Sequence, residues 1–214
     1  MNADSEPSRA RRPFELIAGH AALDFVNTLD DRFIADGPVE LLGDYGDLLR
    51  FLVQAQLLEG ARAQALSRSV NAAAGARALR AARELREALA ATLYAGVEAR
   101  VPLSTAVRTL SEQLRDADQH RELHWQEKDG QPAFAWSRGR YAKHAELPVW
   151  MLADAAGQLL LSDAMRHVRA CGATPCRWLF LDTSKNHTRR WCDMKVCGNR
   201  MKARRFQARQ AAAS

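Results

Sequence analysis

Four cysteines near the carboxyl end of the 214-residue chain are the residues whose spacing most directly indicates chemistry. Cys171 and Cys176 form one close pair, and Cys192 and Cys197 form a second pair after fifteen intervening residues. Two close pairs separated by a hairpin-sized insert are typical of a site in which four thiolates surround Zn²⁺. We therefore predict one structural Zn²⁺ held by all four cysteines, with no coordination position left open for catalysis.

The four-residue interval within each pair is wider than the usual two, so other assignments of the cysteines stay open. An iron–sulfur cluster is the main alternative, although the plant-type spacing of such clusters is absent. A redox-sensing thiol cluster is a further alternative. His187 lies between the two pairs and could be a ligand, but four thiolates already complete the shell, so we expect it in a loop.

Basic residues are concentrated in the same part of the chain. Residues 162–214 contain 12 Lys and Arg against 3 Asp and Glu, whereas residues 1–161 contain 19 against 22. A charge cluster of this kind favours a polyanionic partner more strongly than the overall net charge of +6 does. The alternatives are a solvated basic tail and a surface that docks an acidic protein.

Several of these basic residues interleave with Trp178, Trp191 and Phe206. Arginine forks match phosphates and guanine edges, and an exposed tryptophan can stack on an unpaired base. We expect Trp191, which adjoins a cysteine, to pack over the metal instead. The basic candidates for nucleic-acid contact are Lys185, Arg189, Arg190, Arg200, Lys202, Arg204, Arg205 and Arg209.

The first 170 residues must supply the scaffold that positions this module. Residues 1–13 are polar and charged, and we expect a disordered tail. A short strand over 14–17 and a helix from about residue 20 are predicted to follow. Apolar stripes then indicate three helices, over 48–57 with Gly60 as its C-cap, over 79–97 and over 103–114.

Two further elements complete the predicted scaffold. Asp129-Gly130 between two apolar runs indicates a tight β-hairpin. Pro148 suits the first turn of a long helix whose stripe runs directly into Cys171. The predicted fold class is α+β, with a mostly helical first domain over 14–168 that contains a small antiparallel sheet. A zinc module over 169–214 would end in a basic helix.

A group of polar residues near the first predicted helix could line a small-molecule pocket. The candidates are His20, Asp24, Asn27 and Arg32. The competing interpretation is that Asp and Asn near helix ends satisfy backbone groups. Because the chain has no nucleophile elbow, phosphate loop or open metal site, we do not expect an enzyme.

The compartment is predicted from what the chain lacks. No apolar run reaches the 18 residues of a membrane span, and polar residues interrupt the segment after Arg11-Arg12, where an export signal would need an apolar region. We therefore expect a cytoplasmic protein with no membrane partner. In a reducing cytosol, clustered thiols indicate metal rather than disulfides.

The stretch RRWCDMKVCGNRMK resembles the CGNR zinc-finger proteins of bacteria, named for the motif found here at Cys197 to Arg200. Their amino-terminal half is usually an ABATE domain, and its entry motif is similar to ALDFVNT, Ala22 to Thr28. The resemblance implies a helix-rich α/β domain followed by a treble-clef-like zinc finger that acts in transcription regulation.

Residue by residue, the resemblance places the zinc ligands on the same four cysteines. It places the basic and polar positions of the motif on Arg189, Arg190, Asn199, Arg200 and Lys202. The chain departs from the family at Lys185, where arginine is usual, and at Asp193, where serine is usual. Lysine keeps the charge but loses bidentate geometry, and aspartate can still cap the final helix.

The sequence therefore favours a transcription regulator that binds nucleic acid, DNA before RNA, through a zinc-braced basic module. The first domain would sense a ligand, bind a partner such as the transcription machinery, or form a homodimer. An RNA-binding protein is the nearest alternative, because both nucleic acids attract the same basic residues. A protein-interaction adaptor, in which the zinc module grips an acidic partner, is the alternative from another class.

Overall fold

The computed structural model describes residues 12–34, 37–174 and 176–211. The predicted tail, apart from residues 12 and 13, lies outside the described residues. The helices are α1 Ala21–Val26, α2 Tyr45–Gln54, α3 Gly60–Ser69, α4 Ala72–Val97, α5 Ser104–Gln119, α6 Leu147–Leu160 and α7 Asn199–Ala211. None of the helices in these ranges is long and apolar enough to cross a bilayer.

Three antiparallel pairs of strands accompany the helices. The strands are β1 Leu29–Asp30, β2 Val39–Glu40, β3 Glu122–Lys128, β4 Gln131–Ser137, β5 Val168–Ala170 and β6 Leu179–Leu181. β1 pairs with β2, β3 with β4, and β5 with β6. The predicted class, α+β and mostly helical with small antiparallel sheets, is confirmed.

Helix α4 forms the centre of the helical core. Its first turn is capped by the Asn71 side chain, which accepts a hydrogen bond of 2.9 Å from the Ala74 amide. The predicted apolar stripe is buried through Leu85, Leu89 and Leu93 and packs against α1, α2, α5 and α6. Regular 3.6-residue periodicity over 26 residues is what made this helix predictable.

An ion pair between buried Arg86 and half-buried Glu40 joins the sheet of β1 and β2 to α4. The Arg86 guanidinium, which is buried, donates to the two carboxylate oxygens of Glu40 at 2.7 and 2.6 Å and to Thr28 Oγ1 at 3.1 Å. A charge removed from water needs such a partner to offset its lost hydration. The segment that follows α1 is thus fixed on the core.

Three sequence expectations about these helices were wrong in detail. Gly60 begins α3 and does not end α2, because the chain turns earlier, at Gln56, whose φ of 58° is left-handed. Leu103 and Val107 are exposed, and Leu110 with the alanines of α5 forms the buried face. Helix α6 ends at Leu160, so β5, not a helix, leads into Cys171.

The expected strand over 14–17 is absent from the described structure, because side chains take the place of a pairing strand. Gln54 exchanges hydrogen bonds with both backbone groups of Phe14. The Ala18 amide donates to Asp24 Oδ1 at 2.9 Å, and the Ala18 carbonyl accepts from the Leu181 amide at 2.7 Å. The segment is therefore held against α1 and α2 without belonging to a sheet.

The buried carboxyl group of Asp24 predicts a pH dependence of stability. Burial raises the pKa of Asp24 to about 6 from its ordinary 3.8, although the Ala18 and Ile17 amides partly oppose the shift. The folded state therefore binds this proton more tightly than the unfolded state does. The free energy of unfolding should fall as pH rises from about 4 to about 6.5, by on the order of 2 kcal/mol from this group.

Urea titrations across this pH range, run on wild type and Asp24→Asn, measure the effect. The asparagine keeps an acceptor for the Ala18 amide but carries no charge, so its stability should change less with pH. Equal pH dependence in the two proteins would show that Asp24 does not titrate in this way.

Candidate metal centre and basic surface

The structure brings the four cysteine sulfur atoms together in one cluster, where all lie within 4.8 Å of one another. Cys176 Sγ is 3.5 Å from Cys192 Sγ, which is 3.7 Å from Cys197 Sγ. Zn–S bonds of about 2.3 Å in a tetrahedron place neighbouring sulfur atoms about 3.8 Å apart. The donor set and these two distances therefore fit a zinc site.

The first cysteine pair is positioned by the β5–β6 ladder. The Cys171 amide donates to the Trp178 carbonyl at 2.8 Å, which extends the ladder by one residue. Between the pair the chain turns tightly, and the Cys176 amide donates to the Ala173 carbonyl at 2.9 Å. Both thiols therefore project from one hairpin end.

The second pair is positioned by a π-helical turn, Met194–Gly198, that leads into α7. Asp193 caps this turn, since its carboxylate accepts from the Val196 amide at 2.7 Å and its carbonyl from the Gly198 amide at 3.1 Å. Aspartate thus supplies a cap at a position where the related family usually has serine. The wider interval of this pair is accommodated by the π turn, a feature that occurs often at functional sites.

The four thiols do not ionise alike without a cation. Cys176 and Cys192 donate hydrogen bonds to Cys171, which lowers the pKa of Cys171 well below its ordinary value. The same hydrogen bonds raise the pKa of Cys176 and of Cys192, and burial raises the pKa of Cys197. A bound zinc ion would replace the shared protons and hold all four as thiolates.

The loop between β6 and Cys192 is organised around two charged side chains that face inward. Asp182 is buried and accepts from the Ser184 amide at 3.0 Å and from the Arg189 amide at 2.9 Å. The Arg189 guanidinium donates to the Trp191 carbonyl at 2.8 Å and to the Cys192 carbonyl, and it lies 4.6 Å from the Phe180 ring centroid. Arg189, a predicted nucleic-acid contact, thus serves the metal module in this structure.

His187, the loop histidine weighed as a ligand, lies outside the sulfur cluster. Its Nδ1 is 2.9 Å from the Asp182 carbonyl oxygen, and its ring stacks on His167 with the centroids 3.8 Å apart. The Asp-x-Ser order at 182–184 is a turn signal that could have identified Asp182 from the sequence.

The remaining predicted nucleic-acid contacts are at the surface. The exposed side chains are Lys185, Arg190, Asn199, Arg200, Lys202, Arg204 and Arg209. Arg205 lies on α7, but its side chain is outside what the structure describes. Lys195 in the π turn is also exposed. Its position between Cys192 and Cys197 in the basic segment could have identified it as a further candidate for nucleic-acid contact.

The metal module is docked on the helical domain by paired hydrogen bonds. Buried Asn27 donates to the Leu179 carbonyl at 2.9 Å and accepts from the Leu179 amide at 3.0 Å. Trp178 Nε1 donates to Asp30 Oδ1 at 2.8 Å, and the Tyr94 hydroxyl to the Arg177 carbonyl at 2.9 Å. Asn27 directly after α1, Asp30 of β1 and Tyr94 of α4 thus each hold one residue of the segment 177–179.

The four residues proposed for a ligand pocket all make contacts within the protein. His20 caps α1 by accepting from the Ala22 amide at 3.2 Å, and Arg32 pairs with Glu87. Asp24 holds the amino-terminal segment and Asn27 holds β6. These contacts correspond to the alternative interpretation, in which polar residues near helix ends satisfy backbone groups.

The neighbours Arg189 and Arg190 should respond differently to removal. Arg189→Ala leaves the carbonyls of Trp191 and Cys192 without their charged donor, so the free energy of unfolding should fall by about 2 kcal/mol. Arg190 is exposed, and Arg190→Ala should change stability by less than about 0.5 kcal/mol. Denaturation followed by tryptophan fluorescence measures both, and equal losses would contradict the role given to Arg189.

Comparisons with known protein families agree with this architecture. A model of the CGNR zinc finger matches residues 167–210. The ABATE model, described as "Putative stress-induced transcription regulator", matches residues 19–163. No curated protein shows a significant match to the chain. The resemblance inferred from the two sequence motifs is confirmed, and the chain belongs to the ABATE family and carries a CGNR zinc finger at its carboxyl end.

Proposed function

We propose that this protein is a transcription regulator that binds duplex DNA through the π turn and α7 of its zinc finger. The observation that carries the proposal is a basic segment without any compensating acid. Residues 194–214 contain six Lys and Arg and no Asp or Glu. On the described part of that segment, the basic side chains whose burial is given are exposed, so they are available to phosphates.

The arrangement of basic side chains around α7 is suited to insertion of this helix into the major groove of DNA. Arg200 and Arg204 are four residues apart and share one side of the helix, and Lys202 and Arg209, seven apart, share another. A helix with cations on two sides can contact the phosphates on both edges of the major groove, which is wide enough to admit it.

Helix α7 also receives little stabilisation from packing against the rest of the described structure. Among the described elements it packs substantially only against the π turn before it, and its side chains are polar around most of its circumference. Helices of this kind depend on a partner for much of their stability. A polyanion that neutralises the helix would supply such a partner.

In this proposal a single Zn²⁺ has a structural role. The ion would be held by Cys171, Cys176, Cys192 and Cys197, and it would fix the β5–β6 hairpin to the start of α7. The finger has too few residues to build a large apolar core of its own, so metal binding would contribute much of its folding free energy. The residues around the sulfur cluster are assigned no catalytic role.

The helical domain would present the finger and connect it to a signal. The description of its family model, "Putative stress-induced transcription regulator", supports a regulatory rather than a catalytic role. The close hydrogen-bonded contact at Asn27 and Leu179 would couple any change in α1 to the finger. Four free thiols in a metal cluster suit a cytoplasmic location.

DNA binding should show the salt dependence of phosphate contacts and should depend on α7. Zinc-loaded protein is titrated against fluorescent duplex DNA over a salt series. Arg200→Ala/Lys202→Ala/Arg204→Ala should reduce the slope of log K against log salt by about 0.9 for each phosphate that the variant no longer neutralises. The affinity at low salt should fall at least about tenfold.

A matched control removes three exposed arginines from α3 and α4, in the variant Arg68→Ala/Arg77→Ala/Arg80→Ala. This control removes three positive charges, as the α7 variant does. If α7 carries the phosphate contacts, the control should show the same slope of log K against log salt as wild type. Stronger binding of single-stranded or structured RNA would favour the RNA alternative. Failure of folded, zinc-loaded protein to bind either nucleic acid at low salt would refute the proposal in favour of a protein-binding adaptor.

The purified protein should contain one zinc ion per chain. The finger should fold only when this ion is bound. Native mass spectrometry and metal analysis measure the ratio in wild type and in Cys192→Ser, which should lose the ion. Chelation should change the fluorescence of Trp178 and Trp191 while the helical circular dichroism of α1 to α6 is largely kept. Iron with sulfide, or full folding after metal removal, would contradict a structural zinc.

A further inference from the structure

The β3–β4 hairpin presents four large apolar side chains on one face. Its register places Leu123 opposite Trp136 and Trp125 opposite Phe134, and residues two apart in a strand share a face. The exposed fractions are 63%, 58%, 56% and 68%, in that order. Contiguous exposed apolar surface of this kind often marks an interaction site.

No other described helix or strand packs substantially on this face. Within the described residues, the strong contacts of β3 are with β4 and those of β4 are with β3. A lone two-stranded hairpin is only marginally stable in water, and it gains stability when a further apolar layer covers it. The well-formed turn at Asp129 and Gly130, with φ of 54° and 74°, fixes the register and therefore the apolar face.

The base of the hairpin is anchored firmly to the helical core. Arg138, the residue after β4, is buried and donates to both carboxylate oxygens of Asp154 on α6, at 2.7 and 3.1 Å. The same guanidinium donates to the Ala117 carbonyl on α5 at 2.7 Å. The apolar face is therefore presented in a defined direction.

Charge distinguishes among the partners that such a face could take. Residues 122–137 carry Lys128 against Glu122, Glu127 and Asp129, a net charge of −2. Aromatic surfaces that stack on nucleic-acid bases lie in positively charged grooves, and surfaces that bind anionic lipid carry Lys and Arg clusters. This hairpin has neither, so a protein surface of similar composition is the better match.

We propose that the covering surface is the same face of a second copy of this chain. In a two-fold arrangement the two hairpins pack face to face and antiparallel, with the tip of one over the base of the other. Glu127, near the tip, shares the apolar face with Arg121, whose guanidinium lies 4.3 Å from the Trp136 ring centroid at the base. The two-fold axis brings Glu127 toward Arg121 of the second copy, twice in each dimer.

The area of the face is sufficient for a weak, specific dimer. A large aromatic side chain buries about 200 Å² when fully covered, so the exposed parts of these four side chains amount to roughly 450 Å² per copy. Two copies would then remove about 900 Å² from water, before Pro132 and the charged rim are counted, near the lower limit for specific interfaces. We expect dissociation constants of roughly micromolar order.

Analytical ultracentrifugation of the full zinc-loaded chain, without nucleic acid, tests the proposal. Between about 1 and 200 μM the mass should rise from the 23.8 kDa of a monomer to twice that value. Trp125→Ser/Trp136→Ser should remain monomeric throughout. The control Val101→Ser/Leu103→Ser removes two other exposed apolar side chains and should dimerise like wild type.

A charge exchange tests the face-to-face geometry with variants that keep all four large apolar side chains. Arg121→Glu and Glu127→Arg should each weaken the dimer roughly fivefold, because each creates two like-charged contacts. Combining them, or mixing the two single variants, should restore the affinity.

Three outcomes would overturn the proposal. The first is folded wild-type protein that stays monomeric at the highest concentration. The second is a dimer that persists in the double tryptophan variant, which would place the interface elsewhere. The third is binding to phosphatidylcholine vesicles that disappears in that variant, which would make the hairpin a lipid-binding element.

Discussion

Four thiols whose sulfur atoms lie within 4.8 Å of one another cannot all ionise unless a cation is present, because like charges so close together repel strongly. The backbone nevertheless holds them close enough to share one ion, through the β5–β6 ladder on one side and the Asp193-capped turn on the other. A zinc ion held there would join the β5–β6 hairpin to the turn before α7. The direction in which α7 leaves the finger would then depend on the metal.

Hydrogen bonds join the finger to the helical domain at the edge of an apolar core that the two share through Leu179 and Phe180. Asn27 satisfies both backbone groups of Leu179, and removing its side chain would leave a buried donor and acceptor without partners. Trp178 and Asp30 add a second contact close by. Because Leu179 begins β6 and Trp178 directly precedes it, a displacement of α1 would reach the metal centre over a short path.

Local sequence signals predicted the parts of this structure that local forces build. The cysteine spacing, the Asp-Gly turn and the stripe of α4 each depend on residues close together in the chain. The missing strand at Phe14 depends on a distant residue, because Gln54, forty positions away, takes the hydrogen bonds that a pairing strand would have made. Arg189 and Arg190 are adjacent and chemically identical, yet the first is half-buried and donates to the carbonyls of Trp191 and Cys192, whereas the second is exposed.

Net positive charge and exposed apolar surface lie in different parts of the chain. The net positive charge lies in the region of the finger, since residues 162–214 contain 12 Lys and Arg against 3 Asp and Glu, while the exposed apolar face lies on a hairpin with few cations. A dimer formed through that hairpin would use surface that does not belong to the finger. Two linked fingers would raise the effective concentration of the second at its site, so each could bind weakly while the pair binds tightly. Modest contacts by α7 would then suffice for regulation.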